Sequence, residues 1–127
     1  MGKRYDPEAV RDRLRAFALA LPDSVLEHPW DSDVVKTNGG KKIFVFLGHN
    51  DPEYPPQIGV KLVESHEQAL QGEGAEPSGY GLGKAGWVSI KLRAGAPPVG
   101  VLEDWVEESY RQVALKRNVK ELDARGA

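Results

Sequence analysis

Between residues 79 and 93 the chain reads GYGLGKAGWVSIKLR, and here cations, aromatic rings and glycines fall close together. Lys84, Lys91 and Arg93 can neutralise phosphate, and the rings of Tyr80 and Trp87 can stack on bases, so these residue types suit contact with a nucleic-acid strand. A second basic run, Lys36 with Lys41 and Lys42, surrounds Asn38-Gly39-Gly40, and neither run contains an acid. Each run is a local basic patch, with a charge of +3.

Other chemistries fail on spacing. Gly81-x-Gly83-x-x-Gly86 matches the dinucleotide-binding fingerprint letter for letter. That fingerprint needs a helix N-terminus behind its glycines to meet the pyrophosphate, whereas here a segment of period two follows. A phosphate-binding P-loop fails as well, because Ser78 replaces its first glycine and Ala85 follows Lys84 where a magnesium-binding hydroxyl is required. The glycines read instead as turn formers at positive φ. His28, His49 and His66 are scattered. Glu27, His28, Asp31 and Asp33 can be drawn as a hard-metal cluster, but Pro29 interrupts it, and carboxylates beside such a turn usually cap the turn itself. The serines include no GxSxG elbow, and the absence of cysteine removes thiolate nucleophiles and disulfides. The reading therefore assigns no catalytic residue, no metal and no cofactor, and expects no enzyme activity.

The 127 residues suffice for one domain with a continuous core. The formal charge of −2 excludes a global basic field, so any nucleic-acid contact must come from a local patch. No apolar run approaches the about 20 residues of a membrane span, and the charged start MGKRYDPEAV has no apolar signal core. A cytoplasmic monomer away from membranes is the expectation.

Asp6-Pro7-Glu8 reads as a helix start, followed by the apolar stripe Val10, Leu14, Phe17 and Leu21 and ended by Pro22-Asp23. Residues 25–63 change to period two. The runs VLEH, DVVKT, KIFVFL and QIGVKLV predict an antiparallel meander whose clearest turn is Asn38-Gly39. KIFVFL, with Ile43, Val45 and Leu47 on one side and Phe44 and Phe46 on the other, belongs in the middle of the sheet. Lys61 faces away from Ile58, Val60 and Leu62. Ser65 and Gln68 resemble a capping box for a short helix stopped by Gly72, and residues 72–78 read as a surface loop. A strand at 87–92 turns Val88, Ile90 and Leu92 inward. Trp87 then points to the second face, either beneath a helix or open for stacking, while Trp30 and Trp105 read as core aromatics. A helix over 99–117 and a tail at 118–127 complete the chain.

Taken in order, Ala20-Leu21-Pro22, Glu27-His28-Pro29-Trp30, Gly40-Lys41-Lys42-Ile43-Phe44, Val60-Lys61-Leu62, Gly79-Tyr80 with Lys84 and Trp87, and Ser109-Tyr110 before Val113 resemble the MmcQ/YjbR family over residues 10–116. The resemblance implies a single-domain α/β (α+β) fold, similar to that of CyaY, in which an antiparallel sheet is flanked by N- and C-terminal helices. It also implies DNA binding through a double wing, which would assign contact to Lys36, Lys41, Lys42, Lys84, Lys91, Arg93, Tyr80 and Trp87. Ala85 and Gly86 depart from the bulkier residues expected beside the wing lysine and thin its contact chemistry. Three classes of function stay open on the residues: a weak DNA-binding module, a protein-interaction or adaptor domain using the same sheet face, and a small-ligand binder or enzyme.

Overall fold

The computed structural model describes residues 5–49, 51, 53–79 and 81–125, with the side chain of Trp30 outside that description. Helix α1 spans Pro7–Leu19. Asp6 starts it by accepting a hydrogen bond from the Ala9 amide at 3.1 Å, and Pro7 occupies the first turn, where a missing N–H costs nothing. The strands follow as β1 (Val25–Glu27), β2 (Ser32–Thr37), β3 (Lys42–His49) and β4 (Gln57–Lys61). Then come the short helix α2 (His66–Leu70), β5 (Ala75–Pro77), β6 (Trp87–Lys91), α3 (Val99–Val113) and α4 (Lys116–Arg125). Single 3-10 turns lie at Pro29–Asp31 and Leu82–Ala85.

All described strand pairs are antiparallel, in the order β1-β2-β3-β4-β6-β5. β3 is therefore interior, as its apolar content on both faces requires. One face carries the core: Leu14 and Ala18 of α1 and Leu102, Val106 and Tyr110 of α3 pack on Val35, Val45, Ile58, Val60, Val88 and Ile90, all at most 1% exposed. Full burial of such a side chain contributes about 1.5–3 kcal/mol, so this layer dominates stability. No helix among the described residues is long and apolar enough to cross a membrane.

Several local expectations change. Register shifts between β2 and β3, at Val35/Lys36 and at Asp33/Val34, break strict alternation. Phe44 consequently joins Val45 and Leu47 on the helix side, its ring 5.1 Å from Tyr110 and edge-on, while Phe46 meets Trp87 in an edge contact of 5.1 Å on the second face. Ser65 makes no side-chain cap, because its hydroxyl donates instead to Glu108 at 2.7 Å. Residues 75–77, expected in a loop, form the edge strand β5 on β6, an edge position that tolerates Pro77. The C-terminal helix stops at Val113, because Ala114 turns extended (ψ 146), and residues 116–125 form α4 in place of a tail.

Candidate functional site

Antiparallel register decides which basic residues meet. Lys61 pairs with Trp87, and Val60 with both Val45 and Val88, so β3 and β6 begin at the same end of the sheet. The β2–β3 turn with Lys41 and Lys42 and the Leu82–Ala85 turn with Lys84 therefore emerge together, two strand spacings or roughly 10 Å apart. All three lysines are exposed and make no ion pair among the described residues.

Both turns are held from beneath. Asn38, at φ 60, donates from Nδ2 to the Val113 carbonyl and accepts from the Leu115 amide through Oδ1, each at 2.9 Å, which ties the hairpin to the α3–α4 junction. The Gly39 amide donates to Asp23 at 2.8 Å. Gly86 sits at φ 98 and its carbonyl accepts from the Leu62 amide at 3.0 Å; a Cβ there would lie 2.9 Å from the Leu62 carbonyl oxygen. Positive φ and close approach together restrict the position to glycine. A strand rather than a helix follows Gly86, as expected from the failed dinucleotide fingerprint.

The remaining candidates do not join this end. Lys36 is committed to Glu27 at 2.9 Å. Lys91 pairs in register with Gln57 at the opposite end of β6, and Arg93 beyond it lies 3.6 Å from Glu73. Trp87 is only 7% exposed, edge-on to Phe46, so too little ring surface is open for a base to stack on. Its ring contact among the described residues is with Phe46 of the same sheet. Tyr80 lies outside the described residues. Glu64, His66 and Glu67 line a shallow groove with Lys84, so carboxylates dilute the basic end.

Three polar constellations escaped the sequence reading. The Ser109 hydroxyl, fully buried, accepts from the Lys61 amide at 2.8 Å and donates to the Phe44 carbonyl at 2.5 Å, splinting β3 to β4 where their ladder ends. Tyr110 donates to the Pro22 carbonyl at 2.7 Å, and burial raises its phenol pKa against the opposing influence of its hydrogen bond with Thr37. Ser109-Tyr110 and Pro22, all within the resemblance, are thus joined in the fold rather than in a surface site. The third constellation surrounds Asp33. Arg11 and Arg15 of α1 reach its carboxylate at 3.3 and 3.1 Å, and His28 Nδ1 lies 2.6 Å from it. Arg11 Nε also donates to the Leu47 carbonyl at 2.6 Å. Burial alone would lower the Arg15 pKa, but hydrogen bonds to Asp12 and Asp33 outweigh it and the net shift is upward. With its carboxylate so occupied, Asp33 holds α1 to the sheet, and among the described residues Glu27, His28, Asp31 and Asp33 form no group that could hold a metal ion. Only the repeated arginine of RDRLR, at helical spacing, hinted at this pairing.

The fold agrees with that of solved structures. A Deinococcus radiodurans protein with a DUF419 domain superposes with a TM-score of 0.71 at 25% identity, over 94% of this chain and 91% of that one. A Pseudomonas syringae protein solved by structural genomics superposes with a TM-score of 0.62 at 20% identity, over 80% and 97%. No functionally curated protein matches at a significant level. The sequence pattern of the YjbR family matches residues 19–112, from the end of α1 through most of α3, and the chain belongs to that family.

Proposed function

We propose that this protein is a non-enzymatic, weak nucleic-acid-binding module that holds a phosphate backbone between its β2–β3 hairpin and the turn before β6. The observation that supports this reading is the emergence of Lys41, Lys42 and Lys84 at one end of the sheet, exposed and without carboxylate partners among the described residues. The contact is to phosphate rather than to base edges. A buried Trp87 offers no stacking platform, and short lysine-bearing turns carry no bidentate donor of the kind that reads guanine or adenine. An aromatic-anchored protein partner is correspondingly disfavoured at this end.

The test is fluorescence anisotropy of labelled duplex and single-stranded DNA at increasing salt. Three phosphate contacts give a slope of log K against log salt of about −3 for duplex. A Lys41→Glu, Lys84→Glu variant is expected to lose binding, whereas Lys91→Glu with Arg93→Glu, at the far end of β6, is expected to retain it. Absence of binding at low salt, or equal loss in both variants, overturns the proposal.

A further inference from the structure

The second sheet face holds a cavity that the lysine turns do not use. It has a volume of about 230 Å³ and lies between Phe46 and Gly59 of the sheet and Ser78, Gly79 and Leu82. We propose that it binds a neutral heteroaromatic ring of nucleobase size.

Size, charge and polarity carry the argument. An apolar cavity of about 150 Å³ accommodates benzene, so this volume suits a one- or two-ring heterocycle. Among the described residues no lysine or arginine lines it, the one carboxylate, Asp33, is already held by Arg11 and Arg15, and the exposed His49 ring stacks on Tyr54 with centroids 4.1 Å apart. A net charge would therefore enter a mostly apolar space with no lysine or arginine to pair with, at a desolvation cost that a neutral ring avoids. Phe46 is half-buried, in T-shaped contact with Trp87, and lines the cavity. Such a surface favours a flat aromatic ligand. A purely apolar ligand would waste the polar groups present. The hydroxyls of Ser78 and Ser89 bond one another at 2.9 Å, and Gln57 adds an amide donor and acceptor. A hydroxyl pair can turn toward ring nitrogens or carbonyl oxygens without leaving an unsatisfied group behind. The backbone preserves the space, because glycine occupies positions 48, 59 and 79 of the lining. At Gly59 a Cβ would lie 3.3 Å from the Phe46 ring.

A free nucleoside and an unpaired base within a strand share this chemistry, and the experiment separates them. Amide chemical shifts of the labelled protein are followed during titration with adenosine, with thymidine, with AMP and with a short single-stranded oligonucleotide. The expected result is millimolar or tighter binding that moves the amides of Phe46, Gly59, Leu82 and Ser89, with AMP binding no tighter than adenosine. Ser89→Leu, which fills the cavity, weakens it by about tenfold or more. Leu82→Ala removes a wall in an exposed turn and weakens it as well, which decides the matter if Ser89→Leu fails to fold. Shifts with the oligonucleotide alone identify a strand as the source; shifts with the nucleosides alone identify a free metabolite. No shift with any of these ligands, tighter binding of AMP than adenosine, or undiminished binding in Leu82→Ala overturns the proposal. The Lys41→Glu, Lys84→Glu variant is expected to bind adenosine unchanged, so failure of the backbone-binding reading and failure of the cavity are distinguishable.

Discussion

Ser109 shows how one hydroxyl can stand in for a rung of a sheet. It pairs a part-buried amide of β4 with a buried carbonyl of β3 beneath α3. Ser109→Ala leaves both backbone groups without partners in a buried site and is expected to cost about 1–3 kcal/mol in urea unfolding. Tyr110, on the next position of α3, carries a pH signature. Burial raises its phenol pKa, so in the folded protein it keeps its proton where the unfolded chain releases it. Its contribution is complete below about pH 10, the unperturbed phenol value, and is lost as pH rises through the higher folded value. Tyr5 shifts in the same direction through burial. Tyr110→Phe is expected to cost about 1 kcal/mol at neutral pH through loss of the bond to Pro22, and to make the decline of stability above pH 10 shallower than in the parent. A steeper decline would contradict the assignment.

At the scale of elements, the turns are more constrained than the strands they join. Gly86→Ala meets both a φ of 98 and a carbonyl oxygen at 2.9 Å, and is expected to destabilise by about 1–3 kcal/mol. Gly79→Ala, whose Cβ would meet nothing within 4 Å, is expected to stay within about 0.5 kcal/mol of the parent in the same thermal-melt comparison. Alternation in β6 and β4 was legible because each strand buries one face against helices, and Val88, Ile90, Ile58 and Val60 obey it. In β3 it was not, since a register shift depends on how β2 meets it and leaves no mark on either strand alone. The same limit applies to Ser65. Its spacing to Gln68 favours a capping box, but the nearby Glu108 carboxylate accepts its hydroxyl and the amides of Val63 and Ser65.

For the whole molecule, the question is whether a chain of charge −2 can hold an anionic strand. Its local field sums Lys41, Lys42 and Lys84 with Glu64 and Glu67, which border the same groove as Lys84. Neutralising the acids with Glu64→Gln and Glu67→Gln is expected to strengthen DNA binding at low salt, by roughly 0.5 kcal/mol per charge at such exposed sites. The gain should vanish as salt screens the groove. An anisotropy titration of the double variant that shows no gain places the bound strand away from this end.

The sequence alone determined the features that depend on neighbours along the chain. It set the Asp6-Pro7 helix start, the period-two strands, the Asn38-Gly39 turn and the absence of a helix behind Gly86, because hydrogen-bond capping, side-chain alternation and allowed φ are local. The ordered residues from Ala20 to Val113 carried the family as well. Which cations gather was decided only in three dimensions. Lys84 and Lys91 lie seven positions apart, yet one is in the turn before β6 and the other at the far end of that strand, while Lys42 and Lys84, forty-two positions apart, share an end through antiparallel pairing. Trp87 was open or buried according to what crossed the second face, and pairing with Glu27 removed Lys36 from the free cations. Strand order, burial and ion pairing depend on contacts between distant residues, and no local pattern encodes them.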